Sequence, residues 1–277
     1  MIFLIPVVVV IAALLLFAIL PARANTAQYE TFAKRFYAHR GLFDNEKDIP
    51  ENSLSAFRRA AKQGYGSELD VQFTADKQLI VFHDDNYNRM CGDERNVWDV
   101  PWDEASQLRL MGTSERIPLF SETLRAVGGR QPLIVEIKTS GRSKKWNEEV
   151  CMQTLRLLRE YDGPCCVESF QPHVVSWFRR HASEIVRGQL LYGKKCQPNI
   201  SWVRRATYSQ CLLNFIGRPH FIAMYHEDRN FGMKMSRRMG AMTMLWTVKT
   251  TKECNRYMPY EDAVIFDNCL PPPRYTL

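Results

Sequence analysis

The sequence has 277 residues, of which 45% are hydrophobic and 24% are charged, and its net charge at pH 7 is +7. This length suits one α/β barrel or two small domains, and no repeat, low-complexity run or Gly/Ser linker divides the chain, so we expect one domain. The basic residues are dispersed, without zinc-finger spacing or an RNP-type run, which argues against nucleic-acid binding. The positive charge suits an anionic small molecule or an anionic membrane surface, although scattered surface charge would give the same total.

The eight cysteines show no C-x-x-C spacing. Cys165 and Cys166 are adjacent within an apolar run. In a domain of this size such cysteines are more typical of buried small hydrophobic residues than of a disulfide framework, and they favour a reducing compartment.

Near its start the chain has an uninterrupted apolar run of 19 residues, Ile2–Leu20. A helix of that length would extend about 28 Å, close to the hydrocarbon thickness of a bilayer. We therefore predict a transmembrane anchor in residues 1–24 and a globular domain in residues 25–277. Ala22-Arg23-Ala24 resembles a cleavage site, so a secretory signal is the alternative. The lack of Lys or Arg before the run, and the basic residues after it, favour an uncleaved anchor with the domain in the cytoplasm.

Short apolar runs typical of strands recur along the domain, at residues 36–38, 67–73, 79–83, 133–137, 165–170, 187–191, 221–225, 242–248 and 263–266. Amphipathic helical patterns lie between many of them. The clearest begins with Ser53 as N-cap and stops at Gly64, another covers residues 147–161, and a third follows Pro172.

This alternation predicts parallel βαβ units, and about eight repeats predict a closed (β/α)₈ TIM barrel of the α/β class. An open doubly wound sheet is the alternative, disfavoured because no Gly-rich phosphate loop follows the first run. Residues 84–118 break the pattern and are predicted to form a small insertion after the second strand region.

Two of the predicted strands, at residues 67–73 and 133–137, contain carboxylates. Glu68 and Asp70 are two residues apart, so on a strand both point to one face with Cα atoms about 6.6 Å apart. Glu136 is a third carboxylate within an apolar strand. Carboxylates aimed at one point repel each other unless a cation lies between them, and oxygen donors without soft ligands suit Ca²⁺ or Mg²⁺. The alternative is that these charges mark the solvated face of an edge strand.

Two histidines, His39 and His83, each follow an apolar strand run and precede polar residues. A lone histidine at a strand end is usually a core residue, but a pair beside a metal-bound phosphodiester offers a general base and a general acid. Arg40 can bind phosphate oxygens with its planar fork, and Lys138 can add a positive charge. Trp246 lines the pocket or belongs to the core.

At these residues the chain resembles the glycerophosphodiester phosphodiesterases, over nearly the whole domain from about residue 36 to residue 267. The motifs that carry the resemblance are His39-Arg40-Gly41, Pro50-Glu51-Asn52-Ser53, Glu68-Leu69-Asp70-Val71, Val81-Phe82-His83-Asp84, Val135-Glu136-Ile137-Lys138, Glu168-Ser169-Phe170-Gln171-Pro172 and Leu245-Trp246-Thr247-Val248.

The resemblance implies a metal-dependent TIM-barrel hydrolase that cleaves glycerophosphodiesters to glycerol 3-phosphate and an alcohol. It further suggests that a glycerol hydroxyl attacks phosphorus to give a cyclic phosphate, which water then opens. The implied site residues are Glu68, Asp70 and Glu136 for Ca²⁺ or Mg²⁺, His39 and His83 for acid–base catalysis, and Arg40, Lys138, Glu51, Phe170 and Trp246 for the substrate.

Three other functions remain open at this point. A membrane-anchored lysophospholipase D would keep the metal site and act on lysophospholipids. A sphingomyelinase D-like activity shares the barrel but ranks lower, because the motifs at residues 50–53 and 135–138 are complete. A non-catalytic membrane-tethered binding protein would usually have lost a metal ligand or a histidine, and none is missing here.

Overall fold

A computed structural model of the chain describes residues 4–139 and 141–274. Eight parallel strands close into a ring, because the first strand pairs with both the second and the last. The predicted (β/α)₈ barrel is confirmed, and each predicted strand lies within two residues of an observed one. The strands are β1 (Arg35–Ala38), β2 (Gly66–Phe73), β3 (Leu79–Val81), β4 (Leu133–Ile137), β5 (Cys165–Ser169), β6 (Val186–Leu191), β7 (Phe221–Tyr225), β8 (Met242–Val248) and β9 (Ala263–Phe266).

The third run is not part of the ring. β3 is only three residues long and pairs antiparallel with β2, so it forms a hairpin on the outside of the barrel and His83 lies beyond its end. The ring order is therefore β1-β2-β4-β5-β6-β7-β8-β9.

Helices alternate with the ring strands and cover their outer faces, while shorter ones occupy the insertion and the loops. They are α1 (Leu4–Ile19), α2 (Thr26–Phe32), α3 (Leu54–Lys62), α4 (Asn88–Cys91), α5 (Trp102–Ala105), α6 (Phe120–Val127), α7 (Lys144–Arg159), α8 (Pro172–His181), α9 (Trp202–Thr207), α10 (Asn214–Gly217), α11 (Phe231–Arg238) and α12 (Thr251–Tyr257). Ser53 caps α3 as predicted, accepting a hydrogen bond from the Ala56 amide. The helix predicted at 147–161 begins three residues earlier, because Ser143 provides its N-cap.

The predicted transmembrane helix over Ile2–Leu20 is not found. Within the described residues the predicted run forms α1, Leu4–Ile19, and Pro21 prevents the helix from continuing. Of the helices in residues 4–139 and 141–274, none combines the length and the apolar character needed to cross a membrane. Met1, Ile2 and Phe3 lie outside the described residues.

The segment 84–118 has a small core of its own, which packs under β3. It contains α4 and α5 and is closed by residues such as Tyr87, Val97 and Leu110, each at most 1% exposed. All eight cysteines are free thiols, four of them buried and four half-buried.

Successive residues of a strand point to opposite faces, so every second residue points into the ring. The inward side chains of neighbouring strands therefore form layers along the barrel axis. Ile134 and Cys166 fill the lower interior with other apolar residues. Two residues further along the same strands, the inward positions are Glu136 and Glu168. The barrel is thus apolar at its base and acidic at the carboxyl ends of its strands.

Candidate active site

Four carboxylates, Glu68, Asp70, Glu136 and Glu168, form an acidic cluster whose register is set by three neighbouring strands. Asp70 pairs with Glu136, and Glu136 pairs with Glu168, across β2, β4 and β5. Glu68 lies one inward position below Asp70, and all four side chains are buried. The carboxylate oxygens of Glu68, Asp70 and Glu136 come within 4.8 Å of one another, close enough to ligate one ion.

Burial and mutual repulsion make this cluster costly without a cation. Burial, reinforced by Asp70, Glu136 and Glu168, raises the pKa of Glu68 well above its usual value. The pKa of Glu136 is also raised, chiefly by burial, although Lys138 opposes the shift. For Asp70 burial acts in the same direction, but His83, Lys138, Arg40 and Asn52 together bring its pKa below the usual range. Asp70 is therefore the group best held as a carboxylate.

The donors at this position fit a hard divalent cation. The Oδ1 atom of Asp70 is buried and has no hydrogen-bond partner, which leaves a lone pair available to an ion. The Lys138 ammonium lies 3.4 Å from Glu136 Oε1 and 3.8 Å from Asp70 Oδ1, and Arg40 Nε lies 3.7 Å from Asp70 Oδ2. Two cations beside four buried acids leave the cluster short of positive charge. Carboxylate oxygens alone suit Ca²⁺ or Mg²⁺ better than zinc.

Arg40 is fixed by an unusual backbone conformation immediately after β1. Its φ is 56°, in the left-handed region, and its amide donates to Glu68 Oε2 at 3.1 Å. Gly41 follows with φ of 80°, and a Cβ there would lie 2.9 Å from the Cβ of Ala56 on α3. A non-glycine residue with positive φ usually persists only where surrounding contacts impose it. Here the turn directs the Arg40 amide at the acidic cluster.

The motif at residues 50–53 supports this turn from the other side. Glu51 Oε1 accepts a hydrogen bond of 2.7 Å from Arg40 Nη1. Asn52 donates its backbone amide to the Arg40 carbonyl and its Nδ2 to Asp70 Oδ2 at 3.0 Å. Glu51 and Asn52 therefore fix the positions of a cationic group and of a candidate metal ligand.

Each candidate histidine has a carboxylate partner at Nδ1. His83 Nδ1 lies 2.6 Å from Asp84 Oδ1, and His39 Nδ1 lies 3.6 Å from Asp267 Oδ2. In both rings this arrangement leaves Nε2 for a substrate. Burial and the neighbouring Arg40 lower the pKa of His39, against the opposing effect of Asp267.

These groups open onto one cavity of about 390 Å³. Part of its wall is aromatic: the Phe170 ring centroid lies 5.5 Å from that of Tyr192 and 5.6 Å from that of Trp246. The indole of Trp246 is fixed by a hydrogen bond to the Ala223 carbonyl. The lining residues are His39, Arg40, Glu68, His83, Glu136, Glu168, Phe170, Leu190, Tyr192, Cys196, Gln197, Trp246 and Ile265.

Seven of the ten residues singled out from the sequence line this cavity. Of the other three, Asp70 belongs to the acidic cluster, Lys138 pairs with Asp70, and Glu51 pairs with Arg40. Sequence reasoning gave no role to Glu168, although a charge within an apolar strand was the signal that identified Glu136. Tyr192, Cys196 and Gln197 lie in a loop, where nothing in the sequence indicated them.

The comparisons with known proteins identify the family of this chain. A sequence model of the glycerophosphoryl diester phosphodiesterase family matches residues 39–270. The chain is 37% identical to a glycerophosphodiester phosphodiesterase of Caldanaerobacter subterraneus, over 62% of this chain and 72% of that protein. It is 29% identical to a rat lysophospholipase D, over 51% of this chain and 46% of that protein.

Solved structures share the fold. An Oleispira antarctica phosphodiesterase in complex with its product sn-glycerol-3-phosphate superposes with a TM-score of 0.69 at 21% identity, over 86% of this chain and 94% of that one. A Silicibacter pomeroyi structure gives a TM-score of 0.71 at 19% identity, over 87% and 94% of the two chains. At these identities the likeness establishes the barrel.

Proposed function

Because the chain belongs to the glycerophosphoryl diester phosphodiesterase family, a family of phosphoric diester hydrolases, we propose that it hydrolyses glycerophosphodiesters to glycerol 3-phosphate and an alcohol. The proposal rests on one observation: a buried acidic cluster, two histidines and two basic side chains lie together at one cavity. Each set of groups has a task in phosphodiester cleavage.

Glu68, Asp70 and Glu136 would hold the divalent cation, Ca²⁺ or Mg²⁺. When bound, such an ion neutralises the acidic cluster and polarises a phosphate oxygen. Arg40 and Lys138 lie beside the same carboxylates and add positive charge where negative charge develops on the phosphate. Glu51 keeps the Arg40 guanidinium in that position.

The two histidines then divide the proton transfers. His39 is the better base, because burial and Arg40 favour its neutral form. His83 is assigned the role of acid, because Asp84 Oδ1 lies 2.6 Å from its Nδ1 and orients the ring with Nε2 free for the leaving oxygen. The glycerol hydroxyl next to the phosphoester loses its proton to His39 Nε2 and forms a bond to phosphorus. The bond to the leaving alcohol breaks as His83 Nε2 protonates that oxygen, and water opens the resulting cyclic phosphate with the roles exchanged.

A lysophospholipase D activity is the second candidate. The aromatic rings of Phe170 and Trp246 offer apolar surface beside the phosphate position, and a rat lysophospholipase D is among the relatives. In that case the glycerol would carry an acyl chain.

The test is release of glycerol 3-phosphate from glycerophosphocholine by the full chain, with Ca²⁺ or Mg²⁺ and with EDTA. We expect release that depends on the metal and disappears in His39→Ala. His181→Ala, at the exposed end of α8, is the matched control and should retain activity. If the chain released choline from lysophosphatidylcholine but no glycerol 3-phosphate from glycerophosphocholine, the second candidate would replace the first.

A further inference from the structure

One wall of the cavity belongs to the loop that follows β6. Residues 192–200 contribute Tyr192, Cys196 and Gln197 to the lining. None of these side chains takes part in the acidic cluster or in the contacts of the two candidate histidines. The proposed catalytic groups hold the phosphate and the reacting oxygens, so this wall is available to a substituent of the phosphate, of which the leaving alcohol is one.

A carboxylate from another loop holds the middle of this loop. Asp228, in the turn after β7, accepts hydrogen bonds from the backbone amides of Gly193 at 2.7 Å, Lys195 at 2.9 Å and Cys196 at 3.0 Å. Three amides directed at one point form a concave anion site, and here the anion is a side chain of the protein itself. Hydrogen bonds to an ionised acceptor are about twice as strong as those between neutral groups.

The sequence at position 193 is adapted to this contact. A Cβ on Gly193 would lie 2.8 Å from Asp228 Oδ1, so the carboxylate can approach only because the residue has no side chain. The same loop is tied at its start by Ser209, whose hydroxyl donates to the Tyr192 carbonyl at 2.7 Å. Asn230, two residues after Asp228, donates to the Ser209 carbonyl.

We propose that Asp228 is a positioning residue for the leaving-alcohol subsite, because it holds Tyr192, Cys196 and Gln197 against the part of the substrate that departs. The assignment rests on the proposed diesterase function. It follows that Asp228 influences substrate affinity according to the size of the alcohol, while the chemical groups on β1, β2 and β4 stay in place.

The direct variant is Asp228→Asn. An amide has one acceptor oxygen and presents an NH₂ group to the remaining amides, so at least one of the three hydrogen bonds is lost. We expect KM for glycerophosphocholine to rise about tenfold with kcat nearly unchanged. For the methyl ester of glycerol 3-phosphate, whose alcohol is too small to reach the loop wall, KM should change by less than twofold.

Glu227→Gln is the matched control, because it removes one negative charge from the adjacent, exposed position. Gly193→Ala is a second route to the same result: its methyl group would displace the carboxylate, and it should raise KM for glycerophosphocholine in the same way. It also decides the question if Asp228→Asn fails to fold.

The position of the loop has a readout of its own in the half-buried Cys196 thiol. Peptide-resolved alkylation should modify Cys196 several-fold faster in Asp228→Asn than in Glu227→Gln. Equal losses on both esters, or unchanged kinetics in Asp228→Asn and Gly193→Ala, would overturn the proposal. If the wild type cleaves neither ester, the diesterase function and the subsite assignment both fail, whereas the alkylation rates still report whether Asp228 holds the loop.

Discussion

Arg89 donates hydrogen bonds to both carboxylate oxygens of Glu51, at 2.6 and 3.0 Å. Its guanidinium also donates to both oxygens of Asp84, at 2.7 and 3.1 Å. Glu51 in turn holds Arg40, and Asp84 holds His83. One side chain of the insertion therefore contacts the partners of a candidate phosphate-binding group and of a candidate catalytic group.

From this relationship we expect Arg89→Ala to lower kcat/KM about 10- to 100-fold while leaving the barrel folded. Arg89→Lys should restore little activity, since an ammonium cannot bind two carboxylates in bidentate fashion. The measurement is steady-state kinetics on glycerophosphocholine together with far-UV circular dichroism. Arg95→Ala is the control, because Arg95 lies in the same insertion and pairs with Asp93 and Glu104. Equal activity in the two alanine variants would contradict the positioning role.

The barrel and its acidic layer could be predicted because both are local patterns. Period-two alternation places Glu68 and Asp70 on one face, and an isolated charge in an apolar strand places Glu136 there too. Arg89 and Asp228 could not be identified in this way. Their partners, Glu51 and the amides of Gly193 and Cys196, lie 38 and more than 30 residues away, so their function depends on tertiary contacts.

The end of the apolar N-terminal helix is set by contacts that its own sequence does not show. Within the described residues α1 ends at Ile19, where the chain meets the body of the protein. The Ile19 carbonyl accepts a hydrogen bond from Asn214 Nδ2, and the Arg218 guanidinium donates to the carbonyls of Phe17 and Leu20. These partners lie about 200 residues further along the chain, so the end of α1 depends on tertiary contacts as well as on Pro21.

Metal removal should have an effect on stability as well as on activity. Four buried carboxylates repel one another, so a bound divalent cation should stabilise the folded chain. We expect Ca²⁺ or Mg²⁺ to raise the melting temperature measured by differential scanning fluorimetry, and EDTA to reverse the increase. In Asp70→Asn the increase should disappear, because the carboxylate best suited to a cation has been lost. If neither Ca²⁺ nor Mg²⁺ changed the melting temperature of the wild type, the result would contradict a metal site at this cluster.

Glu68→Gln separates repulsion from ligation. The substitution removes one charge from the cluster, while the amide oxygen can still accept the hydrogen bond from the Arg40 backbone. In EDTA we therefore expect the variant to melt about 2–4 °C above the wild type, corresponding to about 1 kcal/mol. With cation added, the order should reverse, since the variant has lost a ligand. A lower melting temperature than the wild type in EDTA would show that repulsion at Glu68 is not a net cost.

His220 predicts a pH dependence of stability that is independent of the active site. It is 7% exposed, and its Nδ1 accepts a hydrogen bond from the Arg187 amide. Burial, and secondarily the positive charge of Arg187, lower its pKa to about 4. In the unfolded chain the pKa of a histidine is about 6.5.

Because the folded-state pKa of His220 is the lower one, its contribution is complete above about pH 6.5 and is lost as the pH falls towards 4. At pH 5 the loss in the free energy of unfolding amounts to about 2 kcal/mol. His220→Asn keeps an acceptor for the Arg187 amide but cannot be protonated. Urea unfolding at pH 7.5 and pH 5 should therefore show a decrease about 2 kcal/mol smaller in this variant than in the wild type. His181→Asn, at an exposed position, should keep the wild-type decrease, and an unchanged decrease in His220→Asn would mean that His220 is not buried as a neutral imidazole.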